Sequence, residues 1–210
     1  MCTVPREAPL TASETGRLLR VSRETVERLQ VYLDLLARWQ PTINLVGTAT
    51  LADPWRRHIL DCGQLWGLWP EGGRRLVDLG SGAGLPGLVL GILGAPEVHL
   101  IESDRRKAAF LREAARATAS PATVHACRIE AAPGLAADVL SSRALAPLDE
   151  LLALGRPFIG PSTLCLFPKG RNAPAELALA REHWRMQAEA LPSLSDTDGA
   201  ILALREVARA

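Results

Sequence analysis

Asp78, Gly80, Gly82, Gly84 and Leu85 fall in one run, Val77-Asp78-Leu79-Gly80-Ser81-Gly82-Ala83-Gly84-Leu85-Pro86-Gly87, directly after an apolar stretch. Glycine has no Cβ, so such a backbone can turn through positive φ and let a ligand approach its N–H groups closely. The spacing is D-x-G-x-G-x-G. It is not the G-x-G-x-x-G that frames a dinucleotide pyrophosphate, because the residue three after Gly82 is Leu85. An acidic side chain two residues before the first glycine suits a cationic ligand, and S-adenosylmethionine carries both an ammonium and a sulfonium. A second acid, Glu102, closes the apolar run Val98-His99-Leu100-Ile101. In a strand-turn-helix nucleotide fold, an acid about 20 residues beyond the turn accepts hydrogen bonds from ribose hydroxyls. Glu102 fits a nicotinamide dinucleotide equally well, and a turn that only packs is the bland alternative.

The cations fall in a pattern of their own. Asp104 can cap a helix whose first turn holds Arg105, Arg106 and Lys107, and cations there oppose the helix dipole. A local rule broken beside a pocket points to function, so Arg106 and Lys107 are candidate functional cations. Arg143 follows the apolar stretch 137–142, and a buried arginine needs a partner or a ligand. Lys169, in Pro168-Lys169-Gly170, ends the apolar stretch 162–167 and belongs to the same rim. Arg57 and Asp61 are four apart and His58 and Asp61 three apart, which is same-face spacing on a helix. No nucleophile paired with a base stands out.

The elements that position these groups alternate. Apolar runs at 76–79, 98–101, 123–127, 137–142, 162–167, 186–191 and 201–207 read as seven strands. Helical patterns at 88–93, from Asp104 to about Thr118, at 147–154 and at 176–184 lie between them. Alternation with a ligand turn after the first strand predicts an α/β, doubly wound, mostly parallel sheet. Residues 10–40 read as two helices, the second capped by Ser22 and ended by Pro41. Asp53-Pro54 starts another helix, which ends near Gly67, with Trp66, Trp69 and Pro70 sealing it against the sheet. The expected organisation is an N-terminal helical extension, residues 1–72, packed on a ligand-binding domain, residues 73–210.

Composition bounds the alternatives. The 210 residues carry a formal charge of +1, with 48% hydrophobic and 22% charged residues, an ordinary globular balance. Lys107 and Lys169 are the only lysines. A binder of naked nucleic acid is usually more basic, so an RNA target would be a structured one met by a local patch. No run reaches the ~20 apolar residues of a membrane span. Residues 1–9 lack the apolar region of a secretory signal, so a cytoplasmic location is expected. Cys2, Cys62, Cys127 and Cys165 show no C-x-x-C spacing and are read as reduced structural thiols, two of them within buried strands. With His58, His99, His125 and His183 equally scattered, no metal site is expected.

The glycine run, Arg57-His58-Ile59-Leu60-Asp61, Arg106-Lys107-x-x-Phe110-Leu111, Ser142-Arg143-Ala144 and Pro168-Lys169-Gly170 together resemble the ribosomal RNA small-subunit methyltransferase G family, also called glucose-inhibited division protein B. The likeness runs from about Asn44 to Gly170 and weakens beyond. It implies a class I methyltransferase fold, with an antiparallel last strand. It also implies transfer of a methyl group from S-adenosylmethionine, leaving S-adenosylhomocysteine, to N7 of one guanine in a loop of 16S ribosomal RNA. Its partner would be that RNA or the 30S subunit, met by a monomer. Asp78, Gly80, Gly82, Gly84, Leu85 and Glu102 would then hold the cofactor, with Ile129 and Glu130 matching the family's adenine-contacting pair. Arg143 would border the reacting methyl group and touch the cofactor. Arg57 and His58, at the mouth, would bind RNA together with Arg106, Lys107, Arg128 and Lys169. A nicotinamide-dependent oxidoreductase and a non-catalytic ribosome-assembly protein are the two rivals.

Overall fold

The structure is a computed structural model and describes residues 8–210; Cys2 lies outside the described residues. One sheet of seven strands runs through it in the order β3-β2-β1-β4-β5-β7-β6. Five strands are parallel: β1 (Arg75–Leu79), β2 (Glu97–Ile101), β3 (Ala122–His125), β4 (Ala137–Ser141) and β5 (Ile159–Lys169). β7 (Ala200–Arg209) is antiparallel to β5 and to β6 (Trp184–Pro192). Strand order reverses between β1 and β4, and ligands in open α/β sheets bind outside the carboxyl ends of strands at that point.

Side chains alternate across a strand, and β1 divides its residues accordingly. Leu76 joins one hydrophobic cluster with Leu88 and Phe110, whereas Val77 and Leu79 join another with Leu148 and Phe158. The first face is covered by α2 (Arg23–Trp39), α4 (Gly87–Leu93) and α5 (Arg105–Ala117), and the second by α6 (Leu148–Gly155) and α7 (Ala173–Ala180). α1 (Ala12–Leu19) opens with a capping box between Thr11 and Glu14, and Ser22 caps α2 by accepting from Thr25 N–H. Leu29, Tyr32 and Leu36 of α2 share the first cluster with Leu88 and Leu111, so the extension and the sheet bury their apolar surface in common.

The structure corrects four expectations about elements. From Thr48 to Leu68 the chain is not one helix. It makes a 3-10 turn (Thr48–Ala52), a π-helical turn (Trp55–Leu60), a short α3 (Asp61–Gly63) and a second 3-10 turn (Gln64–Leu68). α7 begins at Ala173, with proline in its first turn, and Trp184 opens β6 instead of ending the helix. The Trp184 indole is buried, donates to Asp149 Oδ1 at 2.8 Å and lies under Arg209. β5 runs three residues earlier and two later than its apolar core. Cys127 lies past the end of β3 and is half-buried, while Cys62 and Cys165 are buried thiols.

Candidate active site

A cavity of about 1110 Å³ opens above the carboxyl ends of β1, β2 and β4. Its floor is the glycine turn. Gly80 stands at φ +61°, and a Cβ there would lie 2.6 Å from Leu145 of the loop after β4. The turn is held from three sides. Ser81 N–H donates to Ile101 O at 3.0 Å, and Gly82 N–H donates to Glu102 Oε2 at 2.8 Å. From α2, the buried Tyr32 hydroxyl donates to Ala83 O at 2.9 Å. Burial drives the Tyr32 phenol well above its ordinary range, so it stays a donor.

Glu102 is only 8% exposed but lines the cavity. Its second oxygen accepts from Asp104 N–H at 2.7 Å. Each carboxylate oxygen has two acceptor positions, so one on each is left for a ligand hydroxyl. Gly80, Gly82, Leu85, Ile129, Glu130 and Arg143 line the same cavity. A groove floored by glycines, with a fixed carboxylate and an apolar wall of Ile101, Ile129 and Leu145, fits a nucleoside.

Asp78 and Gly84 do not line the cavity. Asp78 shares the Leu76 face of β1, is fully buried and lies against Gly87 at the start of α4. Its Oδ1 accepts from Ser141 Oγ at 2.6 Å, and its Oδ2 has no hydrogen-bond partner. Burial raises its pKa to about 6, against the pull of its hydrogen bonds. Asp78 therefore braces β1, β4 and α4 from within the core. Gly84 is a packing position, since a Cβ there would lie 2.7 Å from Leu88 and 3.0 Å from Leu111.

The other half of the cavity is lined by Val46, Thr50, Arg57, His58 and Asp61 from the extension and by Ser193, Asp196 and Gly199 from the loop between β6 and β7. A polar chain ties these walls together. Asp61 accepts from Arg143 Nη1 at 2.9 Å and from Ser195 Oγ at 2.6 Å. Ser195 Oγ meets Ser193 Oγ at 2.9 Å, and Gln64 holds Ser193 Oγ and Leu194 N–H. The expected pairing of Arg57 with Asp61 is replaced. Arg57 reaches Asp196 at 3.2 Å, and Asp61 takes Arg143 at 2.9 Å. His58 is buried, and burial followed by the Arg143 charge lowers its pKa to about 4.

Lys107 and Arg128 also line the cavity. Arg106 does not; its guanidinium donates to Thr42 O at 2.6 Å and fastens the extension to α5. Asp104 offsets the cations of that first turn by accepting from Arg106 N–H and Lys107 N–H. Lys169 reaches the rim, but its ammonium donates to Glu176 at 2.8 Å and Ala146 O at 2.9 Å. Glu176 in turn accepts from Leu148 N–H at the start of α6. Lys169 thus anchors the loop after β4 and has its charge matched by Glu176. Sequence reasoning missed Tyr32, Thr50, Leu145 and the loop at 193–199. Among the described residues no group of three metal-ligating side chains occurs.

The family model GidB, described as rRNA small subunit methyltransferase G, matches residues 25–201. A Ribosomal RNA small subunit methyltransferase G of Rhodospirillum centenum is 60% identical over 90% of this chain and 87% of its own length. One from Paramagnetospirillum magneticum is 57% identical over 90% of this chain and 92% of its own. Among solved structures, an O-methyltransferase from Bacillus cereus in complex with SAH superposes with a TM-score of 0.59 at 13% identity. It covers 92% of this chain and 96% of its own and shares the fold. With the family model matching residues 25–201 and relatives 57% and 60% identical over 90% of its length, the chain belongs to the rRNA small subunit methyltransferase G family.

Proposed function

We propose that the cavity takes S-adenosylmethionine over the glycine turn and presents its methyl group to N7 of a single guanine in 16S ribosomal RNA. The observation that carries this reading is the two-part cavity. Its nucleoside half is built by Gly80, Gly82, Glu102 and Ile129, and its second half is walled by Arg57, His58 and Arg143. Glu102 would hold the ribose hydroxyls, Ile129 and Leu145 the adenine, and the N–H groups of the turn the methionine end. When bound, the cofactor supplies an electrophilic methyl on a sulfonium, with a neutral thioether as leaving group.

Guanine N7 has a free lone pair and no proton, so the protein needs no general base. That matches a wall whose one histidine has its pKa lowered to about 4. What the chain contributes is alignment, which can lower a barrier by ~7 kcal/mol or more. Arg143, held by Asp61, stands between the two halves as the residue next to the reacting atoms. Lys107 and Arg128 are the cavity cations left to meet RNA phosphates, with Arg57 beside them. The cavity is completed within one chain, which supports action as a monomer on the RNA or on the 30S subunit. A ribosomal target supports a cytoplasmic location for that action.

Calorimetry separates this reading from a nicotinamide enzyme. S-adenosylmethionine and S-adenosylhomocysteine should bind and NADH should not. Glu102→Ala should weaken cofactor binding by about 10-fold or more, the scale of lost charge-assisted hydrogen bonds. Unchanged affinity would remove Glu102 from the site, and tight NADH binding would overturn the cofactor.

A further inference from the structure

We propose that Thr50 and His58 are positioning residues for Arg143. They form a hydrogen-bond relay with a fixed imidazole tautomer that aims the remaining donors of Arg143 at the O6 edge of the acceptor base. The inference rests on the guanine reading above for its ligand, but the relay itself stands on geometry.

The relay begins with a hydroxyl that has one proton. Thr50 Oγ1 donates it to Gly47 O at 2.6 Å. At its 3.0 Å contact with His58 Nε2, Thr50 Oγ1 therefore accepts. The imidazole carries its proton on Nε2, and Nδ1 is a bare lone pair. Nδ1 faces Arg143 Nη2 at 3.4 Å, and a guanidinium can only donate. Both ends of the ring thus require the same tautomer. An imidazolium would turn an N–H toward the guanidinium. The charged groups around the ring are Arg57 on its own turn, Asp61 on the next and Arg143 from the tip of β4, with two cations against one anion.

The π-helical turn supplies a second hold on Arg143. Asp61 N–H reaches back to Arg56 O and His58 O. The donor that would close an α-helical bond on Arg57 O is thereby turned away. Arg57 O accepts instead from Arg143 Nη1 at 3.0 Å. π turns recur at functional sites, and here the turn frees one carbonyl beside the buried His58. Arg57 O and Asp61 Oδ2 use both protons of Nη1, and His58 Nδ1 uses one of Nη2.

Nε–H and one Nη2–H of Arg143 have no partner among the described residues, and Arg143 lines the cavity. Two N–H groups suit a carbonyl oxygen. Arginine commonly reads guanine at O6 and N7, but N7 must stay bare to react, which leaves O6. Adenine would present N6–H groups to the same donors and be rejected. Asp61 matches the guanidinium charge, so the donors face a base that becomes cationic on methylation without an unmatched positive charge behind them.

Nitrogen NMR of His58 in the full chain, together with steady-state methyl transfer by His58→Ala, His58→Asn and Thr50→Val, tests the relay. The wild-type ring should show a protonated Nε2 and a bare Nδ1 from pH 5.5 to 8.5, and Thr50→Val should admit the other tautomer. His58→Ala should lower kcat by about 10-fold or more while cofactor affinity stays within about twofold, the cost of a misaimed group. His58→Asn, whose Oδ1 replaces Nδ1, should recover most of the loss. A proton on Nδ1 in the wild type, titration of the ring near neutral pH, or wild-type kcat in His58→Ala would overturn the relay. The wild-type spectrum decides even where a variant fails to fold. A correct tautomer in an enzyme that methylates no RNA would overturn the guanine reading and its O6 contact while supporting the relay.

Discussion

At the scale of single residues, the most informative group is Asp78, because its surroundings assign it a different task from the one its motif suggests. A carboxylate with one oxygen unpartnered and no exposure is held against its preference, and its pKa near 6 lies above the ~3.9 of an unfolded aspartate. The folded chain therefore binds the proton more tightly than the unfolded chain. Its stabilising contribution is complete below pH ~4 and is lost as pH rises through ~6, at about 1.4 kcal/mol per pKa unit. Asp78→Asn keeps the acceptor for Ser141 Oγ and removes the charge. Urea unfolding from pH 4 to 8 should show a fall of roughly 2–3 kcal/mol in the wild type that the variant lacks; parallel curves would contradict this. Lys169 makes a second case. Lys169→Ala leaves Glu176 half-buried beside the start of α6. It should cost about 1–2 kcal/mol of stability, between the values of exposed and buried pairs, and leave cofactor affinity intact by calorimetry. Both assignments hinge on side-chain direction. The alternation of Leu76 and Asp78 with Val77 and Leu79 was present in the sequence and puts Asp78 on the Leu76 face, inside the core, yet the glycine motif alone suggests a ligand contact. The match of Lys169 to Glu176, seven residues on, carries no such signal, because it depends on where α7 packs.

At the scale of elements, the extension braces the glycine turn and α5. Tyr32 crosses from α2 to the glycine turn, and Arg106 ties α5 back to Thr42. Tyr32→Phe keeps the ring against Phe110 and removes one buried hydrogen bond. The expected result is a loss of ~1 kcal/mol in stability with cofactor affinity reduced several-fold, read by unfolding and calorimetry. Unchanged affinity would confine Tyr32 to packing. The glycine turn, the sheet strands and α2, α4, α5 and α6 were legible because their apolar periods and caps are local. The 3-10, π and 3-10 turns between Thr48 and Leu68 were not. An i→i+5 hydrogen bond is set by tertiary contacts, here those of buried Arg56 and His58, and has no spacing of its own in the chain.

At the scale of the molecule, the doubly wound, mostly parallel sheet follows from the alternation of strands and helices and the antiparallel last strand follows the resemblance, whereas the strand order was not read from the sequence. The cavity at the reversal between β1 and β4 gathers residues from Val46 to Ala200. The glycine-turn side was readable, since Gly80, Gly82, Leu85 and Glu102 from the motif and Ile129 and Glu130 from the resemblance line one cavity, with Arg143 at its border. Its second half depends on the extension and the loop at 193–199 folding over one rim, which no local pattern announces. The near-neutral charge also fits the arrangement, as Arg57, Arg143 and Lys169 each face a carboxylate. The central claim is methyl transfer to one guanine. Labelled S-adenosylmethionine, incubated with the chain and with 30S subunits or deproteinised ribosomal RNA from cells lacking the endogenous enzyme, tests it directly once the modified base is mapped. Label at N7 of a single guanine in 16S RNA is the predicted result, and the form that accepts it identifies the substrate. Label on another atom, or none on either form while the cofactor binds tightly, would contradict it.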